Sequence, residues 1–421
     1  MTAGESPAMS IDLRTRVDAD QQPIEARDFF SDRLPALLDE HRALFAPAAV
    51  LMPLIDFCIE VDGEPWTLSY ASDRVTISPG RHGQAHVRLT PQEFSDIVND
   101  QSTPIALMSN ANLDMPEGGL PDFLNWWLIL RSALDERRVY CNGDFERSHD
   151  RDEETHDRKS ADSHRSFALD DDDDEMRFFL EEFGYLHIRS LFAEDEMKAI
   201  ADDFEKAAAH YQKGDVQAWY ATTKDDQEHL VRMEGFDRYS ETTRRLIDDD
   251  RIQRIGAIPG CGLAASRKQG QRAAALVKPI GVVKGISDLP WHKDCSLGRH
   301  SFECCGLTVG LSVTAADAQT GQLRVLAKSH RALIWPAPCI QPGLDLEVIG
   351  LPTRTGDVTV HLTCTQHMSQ APVTNTRKVV YTGFGQVPAD AAGAASNRAR
   401  IDAVRGKAHT SVSQEPGYLD D

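Results

Sequence analysis

The chain has no excess of basic residues, no CxxC cysteine pair and no long apolar run. Its 45 lysines and arginines face 66 aspartates and glutamates, for a formal net charge of −21. Such a field repels DNA, RNA and anionic lipid headgroups, so no nucleic-acid partner is expected. Any anionic ligand needs a local positive anchor. The eight cysteines, Cys58, Cys141, Cys261, Cys295, Cys304, Cys305, Cys339 and Cys364, contain no CxxC pair, and a chain of 421 residues needs no disulfide framework. The expectation is a reduced, cytoplasmic protein with mostly buried thiols. The first residues, MTAGESPAMSIDLRTRVDADQQ, lack a basic start followed by an apolar run, so no secretory signal is read there. The stretch FLNWWLIL (123–130) is too short to span a bilayer, and no transmembrane segment is expected.

The length favours two or three domains. Residues 146–174 are strongly acidic and poor in apolar side chains. They cannot bury enough surface to offset ordering, and read as a flexible linker. The run Asp170–Asp174 lacks the glycine and distal glutamate of an EF-hand loop and reads as solvated, as do His149, His156 and His164. Residues 1–25 read as a disordered N-terminus and residues 391–421 as a tail. Two bodies remain, 26–145 and 175–390.

The first body opens with a helical pattern, ARDFFSDRLPALLDEHRALF, followed by strand-like LIDFCIEVDG, PWTLSYASD, RVTISPG and AHVRLT. VDGEPW and YASDR read as hairpin turns. Thr90 can cap a helix that begins at Pro91, with Glu93 in its first turn. DFLNWWLILRSALDERR is a further helix, apolar on one side. A strand meander with flanking helices is an α+β arrangement. The segment AHVRLTPQEFSDIVNDQSTPIALMSNANLDMPEGGL and the apolar helix after it resemble the sterol-carrier-protein-2-like (SCP2-like) lipid-binding family. The resemblance implies an apolar tunnel for fatty acyl chains or sterols. NANLDMPEGG (110–119) stands where many relatives carry a basic, glycine-rich stretch. At helical spacing Phe94, Leu107, Trp126, Trp127 and Leu130 read first as plain core, although a tunnel wall would use the same residues.

The second body begins with a helix, a short strand GYLHIRS and a helix started by AEDE. AALVKPIGVVKG, LTVGLSVTAAD, GQLRVLAKS, GDVTVHLTC and RKVVYTGFG then alternate with turn signals, which suggests an antiparallel barrel or sandwich. Within PWHKDCSLG (290–298), His292 and Asp294 are two residues apart. On an extended segment both face one side, with Lys293 facing the other. An imidazole and a carboxylate together suit two corners of an octahedral metal. A second histidine would complete the face of two histidines and one carboxylate that holds Fe(II). His300, His330, His361 and His367 are the downstream candidates. Ten residues after His367 comes Arg377, whose planar guanidinium can grip a carboxylate through two hydrogen bonds.

The ordered set EEFGYLHIRSLFAEDEM, PWHKD, GQLRVLAKSHR and TGDVTVHLTCTQHMSQAPVTNTRKVVY resembles the phytanoyl-CoA dioxygenase (PhyH) family of Fe(II)- and 2-oxoglutarate-dependent oxygenases. The resemblance implies a double-stranded β-helix (a jelly-roll, cupin-type barrel) with flanking helices over 175–390. It implies His292, Asp294 and His367 as the catalytic iron ligands, and Ser369 and Arg377 as the anchor for the distal carboxylate of 2-oxoglutarate. His361 matches a non-ligand histidine. Lys293 replaces the glutamine of many relatives, and the stretch between His361 and His367 is one residue longer than usual. The carboxylate of Asp294 is retained, so relatives that lack it and halogenate are not the pattern. Lys284, and alternatively Lys278, are candidates to meet a carboxylate, and Thr308 to line the co-substrate pocket. Cys304 and Cys305 read as core thiols.

These readings lead to an expected dioxygenase. It would hydroxylate an unactivated C–H bond of a hydrophobic substrate (fatty acyl, sterol or isoprenoid, or polyketide-like), consuming O2 and decarboxylating 2-oxoglutarate to succinate and CO2. One alternative is an oxygenase of a small natural-product or amino-acid-like metabolite, with the first body serving structure or dimerisation. An alternative of another class is a non-catalytic lipid-binding protein. The oligomeric state, homodimer included, stays open.

Overall fold

The computed structural model describes residues 23–149, 162–265, 272–285, 289–298 and 306–386, with positions 395 and 399 besides. Nearly all of the expected disordered N-terminus and C-terminal tail therefore lies outside the described residues. So do His156, His300, Cys304 and Cys305.

The first body starts as one helical run: α1 (Ala26–Asp28), a π turn (Phe29–Arg33), α2 (Leu34–Glu40) and α3 (Arg42–Ala49). The strands β1 (Phe57–Val61), β2 (Glu64–Ala71), β3 (Arg74–Pro79) and β4 (Ala85–Leu89) follow. Next come α4 (Pro91–Val98), α5 (Pro104–Ser109), β5 (Asp114–Glu117) and α6 (Leu120–Asp135). The sheet order is β3-β2-β1-β4-β5. Both hairpin turns fall where expected. Asp62 and Gly63, and then Ser72 and Asp73, take positive φ, the twist that two-residue hairpins require. The simple meander ends at β4, which pairs parallel to β1. The connection across the sheet is pinned by Thr67, whose hydroxyl donates to the Gly80 carbonyl at 2.7 Å and accepts from the His82 amide at 3.1 Å. Thr90 caps α4, with its side chain accepting from the Glu93 amide and Glu93 reaching back to the Thr90 amide.

Helix α6 is not apolar on one side only. Phe123 through Ala133 are all buried, Asn125, Arg131 and Ser132 included. A helix covered all round belongs in the middle of a structure. Its outer face is covered by the second body: Leu333, Trp335 and Ala337 lie within the first body's core, and the Trp335 indole donates to Asn125 Oδ1 at 3.0 Å. Val139 and Leu333 form a parallel bridge, and the Tyr140 hydroxyl donates to Asp345. The two bodies thus share a packed interface and are not joined by a linker alone.

Helix α7 (Asp144–His149) closes the first body, and residues 150–161 of the expected linker lie outside the described residues. The remainder of the expected linker is packed. Phe167 is fully buried and bridges to Ile188. The aspartate run starts α8 (Asp173–Phe183), where Asp172 caps the amides of Asp174 and Glu175. Carboxylates at a helix N-terminus meet unpaired amides and the positive end of the dipole, which gives this acidic run a fixed place.

The second body continues through β6 (Tyr185–Ile188), α9 (Glu194–Ala208), β7 (Ala218–Thr223), β8 (Glu228–Glu234), α10 (Glu241–Ile247) and α11 (Asp250–Ala257). It then adds β9 (Ala264–Ala265), β10 (Ala274–Lys278), β11 (Val282–Lys284), β12 (Leu289–His292) and β13 (Gly306–Ser312). The last strands are β14 (Leu323–Leu326), β15 (Val348–Leu351), β16 (Val358–Leu362), β17 (His367–Ser369) and β18 (Arg377–Gly385). Two antiparallel sheets form a jelly-roll sandwich. The major one runs β11-β7-β8-β10-β18-β13-β16-β6, with β9 on β18, and the minor one runs β12-β17-β14-β15. Its core joins side chains from α8, α9 and α11 to the major sheet. Among the described residues, no helix is long and apolar enough to cross a membrane. Cys261 is disulfide-bonded, against the expectation of a reduced chain, while Cys58, Cys141, Cys295 and Cys364 are buried, as expected of core thiols.

Asp357 ties β6 to β16. Its buried carboxylate accepts from the amides of Ser190 at 2.8 Å and Arg354 at 2.7 Å, and sits 3.1 Å from His187 Nε2. Burial alone would raise its pKa, but the His187 contact and the two amides outweigh burial and hold it below the ordinary carboxylate value. A depressed folded-state pKa stabilises above the unfolded pKa, and that contribution is lost as pH falls through the folded pKa. Asp357→Asn is expected to cost about 2 kcal/mol at neutral pH. In urea unfolding followed from neutral to acid pH, the gap from the native protein should narrow.

Candidate metal and co-substrate site

Strands β12 and β17 are neighbours in the minor sheet, and their register sets His292 opposite His367. The strand carrying the first histidine ends there. Asp294 sits in the turn that follows, which is closed by the Ser296 amide donating to the Lys293 carbonyl at 2.9 Å. The shared-strand expectation is therefore corrected, yet the turn still brings the carboxylate back to the histidines. Ligand atoms of His292, Asp294 and His367 all lie within 4.8 Å of one another. Asp294 Oδ1 is 3.7 Å from Nε2 of each histidine.

Local hydrogen bonds set the tautomers. His292 Nδ1 lies 2.7 Å from the Pro290 carbonyl and His367 Nδ1 lies 2.9 Å from the Thr365 carbonyl. A carbonyl can only accept, so each Nδ1 carries the proton and each Nε2 lone pair faces the cluster. Asp294 divides its two oxygens. Oδ2 accepts from the Thr308 hydroxyl at 2.6 Å and lies 3.5 Å from His361 Nε2, which leaves Oδ1 toward the two histidines. Burial would raise the Asp294 carboxyl, but the rings of His367, His292 and His361 outweigh it and hold the pKa well below the usual range. Burial first, then the neighbouring His361 and His292 rings, push His367 well below the ordinary histidine value despite Asp294. Metal binding needs a carboxylate and imidazoles that turn an Nε2 lone pair inward, and the Pro290 and Thr365 carbonyls hold both rings in that orientation.

The four candidates for the third ligand separate clearly. His367 joins the cluster. His361 lies beside it, ring to ring at 4.1 Å, but faces the oxygen of Asp294 turned away from His292 and His367. His330 Nε2 is 2.9 Å from the Glu181 carbonyl, outside the cluster. His300 lies outside the described residues.

The anion anchor is assembled on β18, β17 and β10. Arg377 is buried, and its Nη1 donates to the Gly321 carbonyl at 2.6 Å and to Ser369 Oγ at 2.8 Å. Its Nε is buried without a partner, and among the described residues no carboxylate pairs with it. Gly321 has a φ of +73°, and a Cβ there would meet the Gln370 carbonyl at 2.3 Å, so glycine keeps this carbonyl in place. Lys278, the register partner of Arg377, is also buried and donates to Ser369 Oγ at 2.8 Å and to the Ser369 carbonyl at 2.7 Å. Lys284 is exposed at the end of β11 and is not brought to this group. Of the two candidate lysines, Lys278 is the one that stands beside Ser369 and Arg377. The Thr308 hydroxyl donates directly to the Asp294 carboxylate.

Lys293, which faces away from the pair, is fully buried. Its ammonium donates to the carbonyls of Ser329 at 2.8 Å and Ala332 at 3.0 Å. Nothing in the HKD triplet signals this, because the accepting carbonyls come from a segment about 40 residues further on.

The donor set fits a hard to borderline divalent cation, and the unpartnered Arg377 Nε fits a carboxylate. Residues 180–379 match the family model described as Phytanoyl-CoA dioxygenase (PhyH). With the His292–Asp294–His367 cluster, that match makes the second body an oxygenase-type enzyme with Fe(II) and 2-oxoglutarate as metal and co-substrate. No curated protein matches the chain. Similar solved structures include AviO1 from Streptomyces viridochromogenes Tue57, 16% identical, covering 52% of this chain and 96% of that chain with a TM-score of 0.40. The non-heme alpha ketoglutarate dependent epimerase SnoN from nogalamycin biosynthesis is 16% identical over 50% of this chain and 81% of its own, with a TM-score of 0.38. EctD from S. alaskensis, solved with 2-oxoglutarate and 5-hydroxyectoine, is 16% identical over 52% of this chain and 78% of its own, with a TM-score of 0.40.

Proposed function

We propose that the protein is a hydroxylase in which His292, Asp294 and His367 hold Fe(II), and Arg377 and Ser369 hold the distal carboxylate of 2-oxoglutarate. The observation that carries this reading is the convergence of the three ligand atoms within 4.8 Å, with both histidine Nδ1 atoms engaged elsewhere. When bound, Fe(II) with 2-oxoglutarate and O2 supplies the oxidising power for cleaving a C–H bond. The chain's own groups supply position. Thr308 fixes Asp294, and the Pro290 and Thr365 carbonyls fix the two rings. Arg377 and Ser369 orient the co-substrate, and Lys278 adds a second positive charge beside them. The balance is substrate, 2-oxoglutarate and O2 in; alcohol, succinate and CO2 out.

For the substrate, the reading is a neutral, hydrophobic molecule of fatty acyl, isoprenoid or polyketide-like type. The acidic field favours it, since an anionic substrate would need a further cationic anchor. The SCP2-like resemblance of the first body supports the same choice, and that body's α+β order and aromatic-rich core are compatible with it. A second reading is favoured by one observation. The first body is seated on the 333–337 segment of the second, as a structural part would be, which suits a small-metabolite oxygenase equally. Incubation with Fe(II), ascorbate and 2-oxoglutarate, followed by mass spectrometry, separates the two. A gain of one oxygen on a co-purifying lipid supports the first reading. Oxidation of a polar metabolite alone supports the second. Metal-dependent succinate release equal to background rejects both.

A further inference from the structure

We propose that the first body is a positioning element of the iron site, with Thr103 acting through the turn that carries Asp294. The inference rests on the reading of His292, Asp294 and His367 as metal ligands. Thr103 is buried at the start of α5, and its hydroxyl works in two directions. It accepts from the Ala106 amide at 3.2 Å, capping the helix, and it donates to the main-chain carbonyl of Ser296, two residues after Asp294. The turn has little other freedom on that side. Gly298 lies so close to the Gln101 carbonyl that a Cβ would meet it at 2.3 Å, and Leu297 packs against the first body's core. The 99–103 loop is held from behind by buried Arg131, which donates to the Val98 carbonyl at 2.8 Å and lies 3.4 Å from Asp100.

The opposite flank of the site is fastened to the second body's own 335–339 segment, which packs into the first body's core. The Lys293 amide donates to the Pro336 carbonyl at 2.9 Å, next to Trp335, whose indole is held by Asn125 of α6. The Gln366 amide side chain donates to the Cys339 carbonyl at 3.0 Å, one residue before His367. The turn carrying Asp294 therefore touches the first body directly through Ser296, and the segments carrying His292 and His367 are tied to the 336–339 stretch that packs against that body. A carboxylate on a turn has no sheet register to fix it, so its position depends on what holds the turn. Thr103 is a positioning residue: it touches neither metal nor substrate.

Co(II) added to the metal-free, full-length protein tests this, because its visible d–d absorption reports ligand geometry without turnover. Thr103→Val is expected to weaken Co(II) binding about ten-fold, as loss of an outer hydrogen bond to a metal site does, and to change the band shape. Thr103→Ser, which keeps the hydroxyl, should restore both. Gly298→Ala approaches the same contact from the turn and should reproduce the change. Thr90→Val removes the comparable cap of α4 and should lower stability with the Co(II) spectrum unchanged. Native spectra and affinities in both Thr103→Val and Gly298→Ala would overturn the proposal. If Thr103→Val does not fold, Gly298→Ala decides. Failure of the native protein to bind Co(II) would instead overturn the ligand assignment beneath it.

Discussion

His367→Ala is expected to remove Fe(II)-dependent succinate release, by more than about 100-fold, because losing a ligand costs more than the 10–100-fold typical of losing an outer partner. His367 is buried on β17, and the cross-strand register places it opposite His292. Without its Nε2 only one imidazole and one carboxylate face the cluster. His361 is the nearest replacement, at 4.1 Å ring to ring, but its Nε2 addresses the Asp294 oxygen already taken by Thr308. The account therefore predicts a contrast between the two histidines. His361→Ala should retain metal with an affinity lowered about 10-fold. His367→Ala should not retain it. Metal content after dialysis, read beside succinate, separates a lost ligand from a lost fold.

Arg377→Met is the second large effect. The guanidinium donates to Gly321 and Ser369 and keeps one buried Nε without a partner, beside Lys278 on the neighbouring strand. Two buried cations side by side are costly unless an anion joins them. A dicarboxylate supplies that counter-charge. Charge-assisted hydrogen bonds contribute about 1.5–3 kcal/mol each, so the KM for 2-oxoglutarate should rise about 100-fold, with kcat at saturation changed much less. Arg377→Lys should not rescue, since an ammonium cannot reproduce the planar fork. Initial rates over a wide 2-oxoglutarate range provide the check. A rise in KM for the organic substrate alone would place Arg377 elsewhere.

The site was legible where chemistry and order coincide. His292, Asp294, His367, Ser369 and Arg377 are the positions that the motif order marks, and they form two adjoining groups. What sequence order hides is contact between distant segments. Lys293 reads only as facing away from His292 and Asp294, and its acceptors are the carbonyls of Ser329 and Ala332. Lys278 and Lys284 look alike as strand lysines, and only the pairing of β10 with β18 sets Lys278 beside Arg377. The fold repeats the lesson. Turns and caps, such as Asp62–Gly63 and Thr90, depend on a few neighbours and were legible. The parallel pairing of β4 with β1 and the all-round burial of α6 depend on partners far along the chain and were not. The acidic stretch divides on the same line. Composition marks it as solvated, while Phe167 and the Asp172 cap fix the part from residue 162 onward.

In the proposed arrangement one site holds Fe(II) through His292, Asp294 and His367 and 2-oxoglutarate through Arg377. Its most direct measurement is anaerobic addition of 2-oxoglutarate to the Fe(II)-loaded protein, followed by visible absorption. The account predicts a metal-to-ligand charge-transfer band that saturates in the native protein. It predicts no band in His367→Ala, and a band in Arg377→Met only at about 100-fold higher 2-oxoglutarate. No band in the native protein, or the same band in His367→Ala, would contradict it.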